Sequence, residues 1–252
     1  MEYYFTPKEN IAESKSLLII DDFEYRHLAK VLRKKAGDLI TITDGCRNIY
    51  HCEIENIDSR NITCRIINKD YNKFEPDTEI VLCISLLRNM DRLEFAIEKA
   101  VELGVYCIQP VITEFTVNKN ILSDSKIKRI RKIIIGAMGQ SQRCLLPELR
   151  SELKLNELIK STHSETNKIV MYESTNSAND LNSMQVKTGS NIRERCYLLI
   201  GPEGGFSINE INLLQNNHWK ISSLGERKLR AETAAIVSVF NILIKNKLDY
   251  ET

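Results

Sequence analysis

The hydrophobic period of this chain changes once, and that change limits what it can fold into more than any other feature. From about residue 39 to 68, β-branched and aromatic residues alternate with polar ones in LITITDG, NIYHCEIENI and NITCRII, with DG and SRN as turn signals between them. Beyond residue 78, short apolar runs alternate with stretches of helical period. The first pattern builds a small antiparallel sheet or barrel; the second builds a mostly parallel sheet covered by helices on both faces. Two architectures are therefore expected, joined at the polar, aperiodic NKDYNKFEPDT (Asn68–Thr78), with one domain over residues 1–73 and an α/β domain over 74–252.

In the second region EIVLCISL, VYCIQPVI, KIVMYE, CYLLIG and WKISSL read as strands. DRLEFAIEKAVELG reads as a helix with Leu93, Ile97, Ala100 and Val101 on one face and Gly104 as its stop. SDSKIKRIRKIIIGAMGQ, opened by Ser123 or Asp124, SINEINLLQNN and ETAAIVSVFNILIKN are the other helices expected.

Composition excludes some functions. The net charge is +1 and no run of about 18 apolar residues or basic-then-apolar leader occurs, so a cytoplasmic protein with no membrane contact is expected. Seven cysteines, an odd number without a C-x-x-C pair, read as free thiols, most of them buried; no metal site is expected. His51 and Cys52 adjoin in a strand, where their side chains take opposite faces and do not share a metal. Two basic runs interrupt the neutrality: RHLAKVLRKK (Arg26–Lys35) and KIKRIRK (Lys126–Lys132), each with five Lys or Arg. Either alone can be a solvated face; together they suggest contact with a phosphate backbone.

The stretch LLIGPEGGFSINEI carries the chemistry. CYLLI is a buried strand and Ser207 to Glu210 form a capping box, so GPEGG is a strand-to-helix loop, where α/β sheets hold ligands. It matches neither G-x-G-x-x-G nor G-x-x-x-x-G-K-[ST], and Glu203 sets a carboxylate where phosphates would lie. At about 4 Å and a surface-like dielectric the repulsion is roughly 4 kcal/mol, more than the roughly 1 kcal/mol of helix-terminus attraction. A ligand without phosphates, gripped by backbone, suits this loop: the glycines admit close approach and Pro202 fixes one corner. S-adenosylmethionine is such a molecule. One unit later LGERKLRAETAA repeats the design, with Arg227, Lys228 and Arg230 between a glycine and a helix expected to begin near Glu232 or Thr233.

The pairing of L-L-I-G-P-E-G-G-[FL]-[ST]-x-x-E with L-G-x-R-x-L-R-x-E-T-A closely resembles the small-subunit (16S) ribosomal RNA uridine-N3 methyltransferase family, within the SPOUT class of trefoil-knot methyltransferases. HLAKVLRKKAGD with the following TDG, NMDRLEFAIEKAVELGVYCIQP and QSQRCLLPEL carry the resemblance over nearly the whole chain. It implies a PUA-like β-barrel domain at residues 1–73, a SPOUT α/β trefoil-knot domain at 74–252, S-adenosylmethionine held in the knot loops, and a homodimer. Periodicity alone would reject a knot. Three positions depart from the family pattern: Glu2 where an arginine precedes the aromatic pair, Gly139 in place of a glutamate, and Lys228 in place of an apolar residue.

The resemblance also assigns roles. Gly201, Pro202, Glu203, Gly204, Gly205, Leu224, Gly225 and Leu229 would line the cofactor, with Tyr172 and Glu173 as a third loop. Arg230 would stabilise a uracil anion and Glu232 would act as base or orienting group. Their charge, rather than the resemblance, nominates Arg26, His27, Lys30 and Arg33 of the first basic run, Lys128, Arg129 and Lys132 of the second, and Arg227 as contacts for ribosomal RNA of the small subunit. Three rival readings differ in chemistry: a knotted methyltransferase acting on a ribose 2′-hydroxyl or another base, a non-catalytic RNA-binding or ribosome-assembly factor, and, most distantly, a nucleotide-dependent dehydrogenase.

Overall fold

The computed structural model describes residues 2–117, 122–173, 179–180 and 195–248. Packing divides the chain into two units, one of residues 1–75 with 134–146, the other of 76–133 with 147–252. The segment Ile134–Leu146 thus packs with residues far earlier in the sequence, which no local periodicity announces.

The first unit holds strands β1 (Tyr3–Phe5), β2 (Ile11–Ala12), β3 (Leu17–Ile20), β4 (Leu39–Thr43), β5 (Asn48–Ile57) and β6 (Ile62–Tyr71). They pair in the order β1-β4-β5-β6-β3-β2, antiparallel except for β1 beside β4. The expected alternation decides which faces turn inward: Ile40, Ile42, Tyr50, Cys52, Ile54, Ile62 and Cys64 point into one core with Tyr4, Leu18, Ile20 and Leu28. The sheet is a half-barrel whose end strands β1 and β2 do not pair with each other. His51 and Cys52 take opposite faces, the first hydrogen-bonded to Asp70 at 2.8 Å and the second 1% exposed. Between β3 and β4 lie α1 (Asp22–Arg26) and a π-helical turn, His27–Val31.

Two contacts tie Ile134–Leu146 into this unit. Arg143 forms a buried ion pair with Glu75 at 2.7 Å, and the same carboxylate accepts the N–H groups of Cys144 and Leu145 at 2.8 and 2.9 Å. With both charges hydrogen-bonded, the pair avoids the penalty of a lone buried ion. A β-carbon on Gly139 would overlap the carbonyl oxygen of Tyr3, so β1 as it runs here leaves no room for the glutamate of the family pattern.

The second unit holds β7 (Glu79–Ser85), β8 (Cys107–Ile112), β9 (Glu148–Leu149), β10 (Leu153–Lys154), β11 (Asn167–Met171), β12 (Asn179–Asp180), β13 (Arg195–Ile200) and β14 (Lys220–Ser223). Every pairing is parallel, in the order β10-β8-β7-β13-β11-β14-β12 with β9 beside β8. Helices α2 (Met90–Leu103), α4 (Leu155–Ser161), α5 (Ile208–Asn216) and α6 (Ala231–Leu248) connect or cover them, and α3 (Asp124–Gln140) begins in this unit while its residues from Ile134 on belong to the first. α2 is capped by the Asn89 side chain, which accepts the Asp91 N–H, and ends at Gly104 with φ 114°. α5 opens with the expected Ser207–Glu210 capping box. α6 begins at Ala231, ahead of the two positions expected.

Six of the seven cysteines are buried and Cys46 is exposed. Burial pushes the Cys52, Cys64 and Cys107 thiols up to about 12, which leaves them protonated and inert. No helix among the described residues is long and apolar enough to cross a membrane, and no group of three or more metal-ligating side chains occurs among them.

Candidate active site

Because β7, β13, β11 and β14 are parallel neighbours, the loops that leave them open on one edge of the sheet. A cavity of about 340 Å³ lies at that edge. Its walls are Met171–Glu173 after β11, the loop after β13, Ser223–Gly225 and Arg227–Arg230 after β14, the first turn of α6, and Arg92 from α2. The volume falls in the range of small-molecule sites. Tyr172, Glu173, Gly201, Pro202, Glu203, Gly205, Leu224, Gly225, Arg227, Leu229, Arg230 and Glu232 all line it.

The loop after β13 is held from three sides. The Gly205 N–H donates to the Pro202 carbonyl at 2.9 Å, closing a turn over Glu203 and Gly204, and Gly205 then leaves the turn with φ 70°. A β-carbon on Gly201 would meet the Phe206 ring at 2.9 Å, and one on Gly204 would meet the Phe115 β-carbon at 2.9 Å. Gly204 is thus no part of the cavity wall; it lets the loop after β8 close against GPEGG. The Glu203 carboxylate accepts the Arg88 backbone N–H at 3.1 and 3.3 Å and joins the loops leaving β13 and β7.

The loop after β14 is built otherwise. The Ser223 hydroxyl accepts the Gly225 N–H at 3.2 Å and donates to the Gly225 carbonyl at 3.1 Å, while Gly225 takes φ 103°. Gly225 to Arg230 are then all exposed. Lys228, the departure from the family's apolar residue, pairs with Glu173 at 3.1 Å and so links the loops after β14 and β11. Glu232 is nearly buried, its side chain 12% exposed, with Arg92 at 3.8 Å. Neither Arg227 nor Arg230 has an ion-pair partner among the described residues.

Sequence reasoning missed Arg92, Phe206 and Arg88 as parts of this edge. The signals were the NMDRLEF fragment for Arg92 and the [FL] position of the GPEGG motif for Phe206, while nothing in the sequence marks Arg88, because each makes its contact through folding rather than through a neighbour in sequence.

The basic stretches fall in separate units. In the first, Arg26, Lys30 and Arg33 are exposed and His27 lies 3.9 Å from Glu2, the other departure. Phe23 and Val31 stand exposed among them, which supplies aromatic and apolar surface beside the cations. Burial pushes the Glu24 carboxyl up to about 7, against a smaller opposing effect of the Phe5 N–H that it accepts. In the second unit Lys128 and Lys132 are exposed on α3. Arg129 is committed instead to the buried Glu94 at 2.7 Å and to Asp91 at 3.4 Å.

Residues 74–242 match the model of an RNA methyltransferase domain, and residues 20–67 that of an RNA methyltransferase PUA domain. The Ribosomal RNA small subunit methyltransferase E of Aquifex aeolicus is 32% identical over 231 residues, 91% of this chain and 94% of that protein. Its namesake from Buchnera aphidicola subsp. Schizaphis graminum is 31% identical over 97% of this chain and 94% of its own length. Among solved structures, a Ribosomal RNA small subunit methyltransferase E from Neisseria gonorrhoeae bound to S-adenosyl methionine superposes with a TM-score of 0.84 at 27% identity, covering 95% of each chain. A Legionella pneumophila protein in complex with the same cofactor gives a TM-score of 0.84 at 29% identity over 97% of each chain.

Proposed function

The chain belongs to the RNA methyltransferase family, and we propose that it uses S-adenosylmethionine to methylate N3 of a uridine in small-subunit ribosomal RNA. The observation that carries this reading is the convergence of three strand-end loops on one cavity that combines close backbone approach, apolar walls and two exposed arginines.

The wall fits that cofactor. Gly201, Pro202, Gly205 and Gly225 offer main chain at close range, and Met171, Ile200, Leu224 and Leu229 offer apolar surface to an adenine. Bound there, S-adenosylmethionine supplies an electrophilic methyl group: the nitrogen lone pair forms the N–CH3 bond as the C–S bond breaks and its electron pair leaves on sulfur. The chain's own residues must do the rest. Uracil N3 carries a proton at neutral pH, so a proton acceptor is needed and the charge left on the flanking oxygens must be met by donors. Arg230, exposed at the rim and free of an ion pair among the described residues, is suited to those oxygens. Glu232 is suited to hold or receive the proton, with Arg92 fixing its direction. Arg26, His27, Lys30 and Arg33 on one unit, and Lys128, Lys132 and Arg227 on the other, are the RNA contacts this reading assigns.

A homodimer working in the cytoplasm completes the proposal. Phe95 on α2 and Phe240 and Ile244 on α6 support it, being large apolar side chains 40% to 47% exposed on two helices that pack together. Light scattering on the purified protein tests it, and a monomer mass at micromolar concentration refutes it.

The decisive experiment supplies labelled S-adenosylmethionine and small subunits lacking the modification, then maps the label by mass spectrometry. Label on uridine N3 is the expected result. Label on a ribose oxygen or another base would transfer the assignment to the rival chemistry, and no label with intact cofactor binding would favour a non-catalytic RNA-binding factor.

A further inference from the structure

A second cavity, about 690 Å³, adjoins the first and shares Arg92 and Glu203 with it; its other walls are Arg88, Asn89, Met90 and Val117. The geometry points to this cavity as the seat of the acceptor pyrimidine, with Arg88 as its binding cation and Arg92 as the residue that positions Glu232 against it. The inference rests on the reading that the chain transfers methyl groups to RNA.

Three observations carry it. An acceptor atom must come within van der Waals reach of the methyl carbon in line with the breaking bond, so it has to occupy a space that opens into the cofactor cavity. Among the described cavities this one does, through the shared walls of Arg92 and Glu203. Its chemistry also suits a base drawn out of a stack rather than the cofactor. Arg88 is exposed and its guanidinium has no ion pair among the described residues, so it is available to the carbonyl oxygens of a base or to its phosphate. Met90 and Val117, the latter 68% exposed, offer apolar surface to a ring face.

The polar groups favour one base edge over another. Uracil presents acceptor, donor, acceptor across O4, N3–H and O2. The walls present guanidinium donors at Arg88 and Arg92 beside the carboxylate of Glu203, and Glu232 lies in the adjoining cavity against Arg92. The Asn89 side-chain oxygen is occupied by the Asp91 N–H at 2.8 Å, which leaves its amide nitrogen as a further donor. Cytosine would set an amine against a guanidinium. Arg92 belongs to both cavities and lies 3.8 Å from Glu232, so it can hold that carboxylate toward N3 while meeting the base or its phosphate.

The test compares Arg88→Ala, Arg92→Ala and Arg92→Lys with the wild-type protein on small subunits lacking the modification. Calorimetry of S-adenosylmethionine binding reports folding and the cofactor site; it should change by less than about twofold in Arg88→Ala and, in the Arg92 variants, whose side chain lines both cavities, by far less than kcat. Arg88→Ala should raise KM for the subunit about tenfold with little change in kcat. Arg92→Ala should lower kcat by about a hundredfold and Arg92→Lys should restore part of it. RNA carrying 4-thiouridine at the target should photo-crosslink within residues 88–92. Cofactor affinity falling in step with activity, wild-type rates in both alanine variants, or crosslinks elsewhere would overturn the inference. A wild-type protein that labels no RNA would instead overturn the methyl-transfer reading on which it rests.

Discussion

The two glycine loops at the sheet edge begin from one design, a buried strand, a glycine turn and a helix start, and end as opposites. GPEGG is clamped: Pro202 is buried, Phe206 and Phe115 leave no room for a side chain at Gly201 and Gly204, and Glu203 is tied to the Arg88 N–H. LGERKLR is open, with every residue from Gly225 to Arg230 exposed and with Arg227 and Arg230 unpaired by carboxylates among the described residues. The division matches two tasks at one cavity. A loop that grips a small cofactor through main chain must be rigid before the cofactor arrives, because ordering it on binding would cost affinity. A loop that meets a polyanion gains more from cations left in water until the partner comes.

The largest expected effect tests the open loop. Arg230→Ala should lower single-turnover methyl transfer by about 10² to 10³, the loss typical of removing one preorganised donor, while calorimetric affinity for S-adenosylmethionine stays within about twofold. Equal losses in both measurements would break the comparison by moving Arg230 into the cofactor grip.

The next tests the clamped loop. Gly204→Val puts a branched side chain where even a β-carbon lies 2.9 Å from Phe115. Forcing that overlap should cost roughly 1–3 kcal/mol, read as a fall in melting temperature together with weaker cofactor binding. A substitution at exposed Gly225 tests the other loop in the same way, yet there the added carbon meets nothing within 4 Å and the φ of 103° alone supplies the strain.

How much of this was legible follows the distance over which each contact acts. The capping box at Ser207, the stop at Gly104 and the inward faces of β4 and β5 were readable, because each is fixed within one or two turns of its own sequence. Helix α4, with Leu155, Leu158 and Ile159 buried, has a readable period but is only seven residues long, too short to stand out between loops. The Arg88–Glu203 hydrogen bond joins residues 115 apart and the Arg143–Glu75 ion pair joins residues 68 apart. No local pattern carries such partners, so sequence could nominate Glu203 without saying what it holds. It likewise named Arg129 as an RNA contact without revealing the buried Glu94 that the guanidinium neutralises.

A smaller effect probes the clamp directly. Glu203→Ala removes the acceptor of the Arg88 N–H and should weaken cofactor binding by about 1 kcal/mol, the net worth of an ordinary hydrogen bond. Glu203→Gln keeps an acceptor oxygen and should lose less. If the two variants bind alike and at wild-type strength, the loop is held by packing alone and the clamp reduces to Pro202, Phe206 and Phe115.

The smallest expected effect concerns a residue that bridges the open loop to its neighbour. Lys228 and Glu173 pair at 3.1 Å, but their side chains are 69% and 51% exposed, so water and salt screen the attraction. Exposed pairs of this kind contribute about 0 to 1 kcal/mol. Lys228→Leu, which restores the apolar residue the family pattern has here, should therefore leave the melting temperature nearly unchanged. It should also flatten the salt dependence of RNA binding little, since the lysine's charge is already balanced by Glu173. Arg227→Leu, removing a cation with no such partner among the described residues, should reduce that salt slope by close to one phosphate contact, about 0.7 to 0.9. If Lys228→Leu produced the larger drop, the loop's RNA contact would run through the residue in which this chain departs from its relatives, and the ion pair with Glu173 would have to open when RNA binds.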